Sequence, residues 1–180
     1  MEIVDVLEQE GLTDSTLRVV TSDHGEEFGQ HGRYGHGTNL YEESVRIPLL
    51  FHSPALLAGG ASSALTDLTD VAPSILGLLG LAPPPQWDGR NLFGDPARQA
   101  VYLFAGDTGS TLALREGDRK HVWTISTDRV ETYDLTRDPE ERHDIAADVP
   151  DLALCAKQAL ANWVRERKTR TPPTGSLPPE

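Results

Sequence analysis

The side chains best suited to chemistry are concentrated in residues 23–37, which contain three histidines, three acids and five glycines. Asp23 and His24 begin this stretch, directly after an apolar, β-branched run that is typical of a buried strand. Carboxylate oxygens and imidazole nitrogens both bind divalent cations, and open α/β sheets bind ligands beyond the carboxyl ends of their strands. The pair therefore predicts a metal or catalytic site, although an isolated Asp-His pair is more often a turn cap beside a solvated histidine.

His31 and His36 are the other two histidines of this stretch, and each lies beside glycine. An imidazole can bind a metal or accept a proton, and a protonated one can donate to an oxyanion. Glycine neighbours let the backbone approach a bound group closely. We favour a chemical role for His36, while for His31 a hydrogen-bonding role within the loop stays open. Nearby acids could be bases or ligands but are more typical of solvated loops: Glu26, Glu27, Glu42 and Glu43.

The composition excludes several classes of function. The 180 residues include 28 acidic and 16 basic side chains, which give a net charge of -12. This charge argues against binding to the phosphate backbone of nucleic acids. No apolar run is long enough to span a membrane. A single cysteine, Cys155, excludes an internal disulfide and a multi-cysteine zinc site, and its helical, apolar surroundings predict that it is buried.

Hydrophobic periodicity predicts the elements that position these side chains. A strand at 17–22 leads into Asp23 and His24, and a helix at 2–11 precedes it. Because this helix begins without a capping segment, we expect the sequence to be a piece of a longer protein. The other predicted elements are a short helix or turn at 38–45, an edge strand at 45–52, a helix at 70–81 with Asp70 as its N-cap, strands at 100–104, 112–115, 121–126 and 131–135, and a helix at 151–168.

These elements indicate an α/β fold with a second, antiparallel part. A helix followed closely by a strand and a ligand-binding loop is typical of α/β proteins. Short strands separated by glycine and aspartate turns predict an antiparallel meander. We therefore predict an α/β portion at 1–95, a small antiparallel sheet with a C-terminal helix at 96–168, and a disordered, proline-rich tail at 169–180.

The order of the motifs resembles one enzyme family. Thr-Ser-Asp-His-Gly-Glu at 21–26 is followed by Gly-His-Gly-Thr at 35–38 and Tyr-Glu-Glu-Ser-Val-Arg-Ile-Pro-Leu at 41–49. Together these motifs resemble a characteristic block of the sulfatases, which belong to the alkaline phosphatase superfamily. Weaker similarity follows at 70–76, 88–92, 119–120 and 133–141. The resemblance implies that residues 1–95 are the C-terminal part of an alkaline-phosphatase-like α/β catalytic domain.

This resemblance implies metal-dependent hydrolysis of sulfate esters on small molecules or glycans. The family uses a formylglycine nucleophile, made from Cys or Ser, and one divalent cation, usually calcium; manganese or zinc is the alternative here. Asp23 falls on the metal-binding aspartate, and His24 falls on a ligand position that is asparagine in many members and histidine in others. His36 falls where many members carry a sulfate-binding lysine, so it is the expected catalytic residue.

One departure from the family pattern is large. The nucleophile motif, Cys/Ser-x-Pro-x-Arg, occurs nowhere in the 180 residues, and Cys155 does not fit it. We therefore expect a C-terminal portion that is inactive alone and whose partner is the missing N-terminal half. One face of the strand at 17–22 is then expected to lack apolar cover. A phosphate or phosphonate ester hydrolase of the same superfamily and a non-catalytic remnant are the alternatives.

Overall fold

The computed structural model describes residues 3–105 and 111–169 of the chain, so the tail predicted at 169–180 lies, apart from Thr169, outside the described residues. The chain divides into two compact units: the residues up to 37 with 41–101, and 38–40 with the residues from 102 onward. Its helices and strands are α1 (Ile3–Gln9), β1 (Arg18–Thr21), β2 (Glu27–Phe28), β3 (Tyr34–Gly35), α2 (Glu42–Val45), β4 (Leu49–His52), α3 (Val71–Leu78), β5 (Ala100–Ala105), β6 (Thr111–Glu116), β7 (Arg119–Thr124), β8 (Arg129–Asp134) and α4 (Pro150–Thr169).

In the first unit, β1 pairs antiparallel with β4, and the two sides of this small sheet differ. Val20 lies opposite Leu50 in the register, and both side chains are more than half exposed. On the other side the ring of Phe51 packs edge-on against Phe93, with ring centroids 5.2 Å apart. The expectation that one face of the first strand lacks apolar cover is confirmed. Because Pro48 cannot donate to a strand ladder, β4 begins only after it.

Asp70 lies at the N-cap position of α3, as predicted, but its side chain makes no capping hydrogen bond to this helix, and Asp67 caps the turn that leads into it. The carboxylate of Asp67 accepts from the backbone N–H of Thr69 at 2.8 Å. Asp70 is fully buried and accepts from Arg98 Nε and from the backbone N–H of Arg90, each at 2.8 Å. Burial acts to raise the pKa of Asp70, but these hydrogen bonds, with Arg98 foremost, lower it below its ordinary value.

The second unit contains a sheet in the order β5-β6-β7-β8, whose β6–β7 and β7–β8 pairs are antiparallel. Helix α4 packs against this sheet, and Trp163 of α4 stacks on Tyr102 of β5 with ring centroids 5.3 Å apart. This order confirms the predicted meander. The β6–β7 and β7–β8 pairs each keep one cross-strand register throughout, so that alternate side chains of these strands share one face of the sheet. Leu112 and Leu114 project from one face of the sheet, and Val122 and Tyr133 project from the other. All four are buried, as is Leu160 of α4, so both faces of the sheet carry buried apolar side chains.

The buried face of α4 differs from the predicted one. Cys155 is exposed, so the prediction that it is buried is wrong. The buried positions are Ala153, Ala156 and Leu160, which follow one another at the three- and four-residue spacing of one helix face. Small residues on this face let the helix lie close to the sheet, and Cys155 then falls on the solvent side. Within the described ranges, no helix is long and apolar enough to cross a membrane.

Polar groups are also buried in the second unit. Lys120 Nζ lies 3.0 Å from Glu141 Oε1, and both side chains are fully buried. His121 is fully buried as well, with Nδ1 3.0 Å from the hydroxyl oxygen of Thr132. Burial lowers the pKa of His121, and the positive charge of Arg119 lowers it further. This imidazole is therefore held in its neutral form.

Candidate metal centre

Residues 22–37, here called the site loop, leave the end of β1 and fold back as the short ribbon β2–β3. Glu27 pairs with Gly35 and Phe28 with Tyr34 in this ribbon, which the sequence pattern did not predict. The turn between the two strands contains Gly29, whose φ of 96° few other residues adopt. The ribbon therefore brings the two ends of the site loop together.

The site loop is fastened to α2. The backbone N–H of Gly25 donates to the carbonyl of Ser44 at 2.8 Å, and the Ser44 hydroxyl donates to the buried Glu27 carboxylate at 3.1 Å. A Cβ atom at Gly25 would lie only 2.0 Å from the carbonyl oxygen of Glu43, so only glycine fits at this position. These contacts fix the backbone on both sides of Glu26.

His24, Glu26 and His36 converge where the two ends of the site loop meet. One potential ligand atom from each of the three lies within 4.8 Å of the others. The imidazole rings of His24 and His36 stack, with centroids 4.2 Å apart and planes at 22°. His36 Nδ1 lies 3.3 Å from Glu26 Oε2. Two imidazoles and one carboxylate are a donor set of the kind that binds divalent cations.

The tautomer of His24 suits a metal ligand. Its Nδ1 lies 2.7 Å from the carbonyl oxygen of Gly25, which can only accept a hydrogen bond, so Nδ1 carries the proton. In the neutral ring Nε2 then has a free lone pair. Asp23 Oδ2 lies 3.7 Å from this nitrogen, while Oδ1 accepts from the backbone N–H of His24 at 3.0 Å. Asp23 and His24 therefore present an oxygen and a nitrogen toward the same space.

His31 lies apart from this cluster. Its Nδ1 is 2.6 Å from Glu43 Oε1, and its ring stacks on Tyr41 with centroids 3.8 Å apart. Both partners are in or next to α2, and the side chains of His31 and Glu43 are largely buried. These contacts favour the hydrogen-bonding role that the sequence left open for His31, since they add a further link between the site loop and α2.

The structure thus brings the three predicted site residues, Asp23, His24 and His36, into one region, and their individual roles stay predictions. It adds Glu26, which the sequence analysis interpreted as a solvated acid. The positions of these residues could have indicated that they meet. Glu26 directly precedes one strand of the glycine-rich ribbon, and His36 directly follows the other. Because the ribbon was not predicted, this pairing was not predicted either.

Comparisons with known proteins agree on one family. Residues 2–81 match the family model described as Sulfatase. Arylsulfatase K of Mus musculus is 28% identical to this chain, and the match covers 93% of the chain and 33% of that protein. Choline-sulfatase of Rhizobium meliloti is 30% identical, and the match covers 92% of the chain and 35% of that protein. The chain therefore spans about a third of the length of these relatives.

Solved structures show the same relationship. A protein solved in complex with its substrate, D-glucosamine-2-N,6-O-disulfate, superposes with a TM-score of 0.79 at 27% identity. The match covers 97% of this chain and 39% of that chain. Structural similarity over nearly all of the chain confirms the predicted α/β fold of the alkaline-phosphatase type.

Proposed function

We propose that this chain, which matches the sulfatase family model over residues 2–81, supplies part of the cation-binding and sulfuryl-binding site of an enzyme that hydrolyses sulfate esters. The convergence of His24, Glu26 and His36 carries this proposal, since it gathers metal-binding and anion-binding groups at the carboxyl end of β1. The substrate is a sulfate ester of a small molecule or a glycan. The names of the two curated relatives support sulfate esters as the substrate class.

Each residue of the centre has a distinct role in this proposal. Asp23 Oδ2 and His24 Nε2 hold the cation, because both atoms face the same space. His36 contacts a sulfuryl oxygen through Nε2, since Nδ1 is occupied by Glu26. To donate there, the ring must be protonated, and the carboxylate of Glu26 partners the charged ring. Glu26 is thus a positioning residue for His36.

Asp23 and His24 would hold the divalent cation, which would supply positive charge to neutralise the sulfuryl oxygens. Asp23 and His24 would orient the sulfuryl group through the cation that they hold, whereas His36 would contact it directly. The nucleophile expected for the family, a formylglycine made from Cys or Ser, has no matching motif among the 180 residues. We propose that this chain binds cation and sulfate but does not turn over a sulfate ester alone.

The identity of the cation is part of the proposal. The family resemblance favours Ca²⁺, which prefers oxygen ligands, whereas the imidazole of His24 beside the carboxylate of Asp23 suits Mn²⁺ or Zn²⁺ better. The same donor set favours a second candidate function, the hydrolysis of phosphate or phosphonate esters with one of these metals. Affinities for inorganic sulfate and inorganic phosphate, measured with each cation in turn, separate the two candidates.

The experiment is calorimetric titration of the chelator-treated chain with Ca²⁺, Mn²⁺ or Zn²⁺, and then with sulfate. We expect H24A to weaken cation binding by at least about tenfold, or about 1.4 kcal/mol. H36A is expected to weaken sulfate binding by a similar factor in the presence of cation. H143A is the matched control, because His143 is an exposed histidine of the second unit.

Three results would contradict the proposal. Cation affinity equal in H24A and the wild-type chain would place the metal elsewhere, and sulfate affinity equal in H36A and the wild-type chain would remove the sulfuryl contact. Robust hydrolysis of 4-nitrophenyl sulfate by the purified chain would show that it needs no nucleophile from elsewhere. Absence of any cation and sulfate binding would instead favour a non-catalytic protein.

A further inference from the structure

Two large aromatic side chains lie side by side in solvent on the β2–β3 ribbon. Phe28 and Tyr34 are direct cross-strand partners, and they are 71% and 80% exposed. Cross-strand partners project from the same side of a ribbon, so the two rings form one surface, here called the aromatic pair. Burying an aromatic ring is strongly favourable, and a pair of rings left in water is a typical feature of a binding surface.

The aromatic pair is continuous with the metal centre. Side chains two positions apart on an extended strand leave it on the same side, about 7 Å apart. Glu26 and Phe28 are both accessible to solvent, whereas Glu27 between them is fully buried on the opposite side. Because His36 contacts Glu26, the imidazole lies two residue positions along the ribbon from Tyr34, with the Glu27–Gly35 pair between them.

The ring of Tyr34 lies over the turn of the ribbon. A Cβ atom at Gly29 would lie 2.9 Å from the Tyr34 hydroxyl oxygen, so the ring lies across the glycine where any other residue would displace it. The backbone N–H of Gly29 donates to the carbonyl of Arg33 at 2.8 Å, which closes the turn.

We propose that Phe28 and Tyr34 form the subsite for the alcohol part of the substrate, and that this alcohol carries a ring. The inference rests on the proposed function, in which His36 faces the sulfuryl group. An ester whose sulfuryl group lies at His36 extends its alcohol part along the ribbon, where the apolar face of an aryl or sugar ring stacks on the aromatic pair. Stacking of this kind contributes about 0.5–1.5 kcal/mol for each ring contact.

The test compares a ring-bearing with a ring-free sulfate ester on the full chain with its cation. NMR titration measures the affinities for 4-nitrophenyl sulfate, glucose 6-sulfate and methyl sulfate. We expect the wild-type chain to bind at least one ring ester about tenfold more tightly than methyl sulfate. The double variant F28A/Y34A is expected to lose this preference and keep its affinity for methyl sulfate, whereas Y34F keeps both.

F104A is the matched control, because Phe104 is a similarly exposed aromatic residue, 67% accessible, on a strand outside the site loop. Loss of preference for only one of the two ring esters would assign the subsite to aryl or to sugar rings. An unchanged preference in F28A/Y34A would overturn the inference, as would a loss of methyl sulfate binding in that variant.

The inference and the proposed function fail in different ways. If H36A leaves binding of methyl sulfate unchanged, the proposed function is wrong, whatever the aromatic pair does. If H36A weakens methyl sulfate but F28A/Y34A has no effect on the ring esters, only the inference is wrong. A wild-type chain that binds none of the three esters would overturn both.

Discussion

The chemistry of single histidines in this protein follows from the atoms that their ring nitrogens contact. His24 and His36 each use Nδ1 for a neighbour within the site loop, a carbonyl oxygen in one case and a carboxylate in the other. Their Nε2 atoms are thereby left for ligands. His31, with a carboxylate at 2.6 Å and a stacked ring, is instead part of the packing.

His121 gives rise to a prediction about pH. Its pKa is lowered from the ordinary value of 6.5, chiefly by burial. Above pH 6.5 the ring of His121 is neutral in both the folded and the unfolded chain, so burial of this ring does not reduce the free energy of unfolding. As pH falls below it, the unfolded chain takes up a proton that the folded chain resists, so the free energy of unfolding decreases.

Urea denaturation between about pH 7 and about pH 5 measures this effect. We expect H121Q to show a shallower decrease of stability with falling pH than the wild-type chain, even if it is less stable at neutral pH. H143Q, which removes an exposed histidine, should keep the wild-type slope. Equal slopes for all three chains would show that His121 is not the group that resists protonation.

At the scale of elements, the site loop depends on α2 for its shape. Gly25, Glu27 and His31 each contact a residue of this helix, so the ribbon is anchored along its length. Although α2 has only four residues, it therefore does more to define the centre than any other helix of the first unit. The tight approach at Gly25 makes this anchoring specific.

A double-mutant cycle tests how strongly one of these anchors acts. We expect H31A and E43A to show a coupling free energy of about 1–2 kcal/mol in urea denaturation, because the hydrogen bond is largely buried. The pair Arg142–Glu140 has the same N–O distance of 2.6 Å, but both side chains are 66% exposed. Its coupling should be indistinguishable from zero, since exposed ion pairs are weak. Similar coupling in the two pairs would contradict this account.

At the scale of the whole molecule, the charge of -12 affects every measurement made with cations. An acidic chain gains stability from any added cation through screening of its self-repulsion. Specific binding adds a further term that depends on the ratio of cation concentration to the dissociation constant, about 2.7 kcal/mol at a hundredfold excess. The two contributions must therefore be separated.

Thermal unfolding at constant ionic strength separates them. We expect the preferred divalent cation to raise Tm by several degrees beyond the effect of NaCl. This extra rise should disappear in H24A and persist in H143A, because only the first variant removes a proposed ligand. A rise of equal size in both variants would mean that the cation acts by screening alone.

Local sequence patterns predict much of the secondary structure of this protein. Period-two and helical patterns predict each strand of the second unit, the strand that leads into the site, and the long C-terminal helix. The adjacency of Asp23 and His24 at a strand end already indicates a cation site. The strand and helix predictions succeed because backbone periodicity and turn residues act over only a few residues, whereas the cation site stays a prediction.

What the sequence could not determine depends on which distant residues meet. Asp70 has the side chain of an N-cap, but Arg98, 28 positions away, forms an ion pair with it, and Asp67 caps the turn instead. Cys155 lies in an apolar pattern, but close packing at two alanines turns it toward solvent. Both outcomes depend on tertiary contacts that the local pattern does not specify.

In the candidate metal centre, too, some features follow from local sequence and others from tertiary contacts. The sequence by itself determined that Asp23, His24 and His36 are candidates, because their types and flanking glycines are local properties. Only the tertiary structure decided that Glu26 partners His36 and that His31 belongs to the packing. It did so because the register of a two-stranded ribbon and its anchoring to α2 set which side chains face each other. Such pairings arise from backbone contacts across the fold, and residue spacing alone does not fix them.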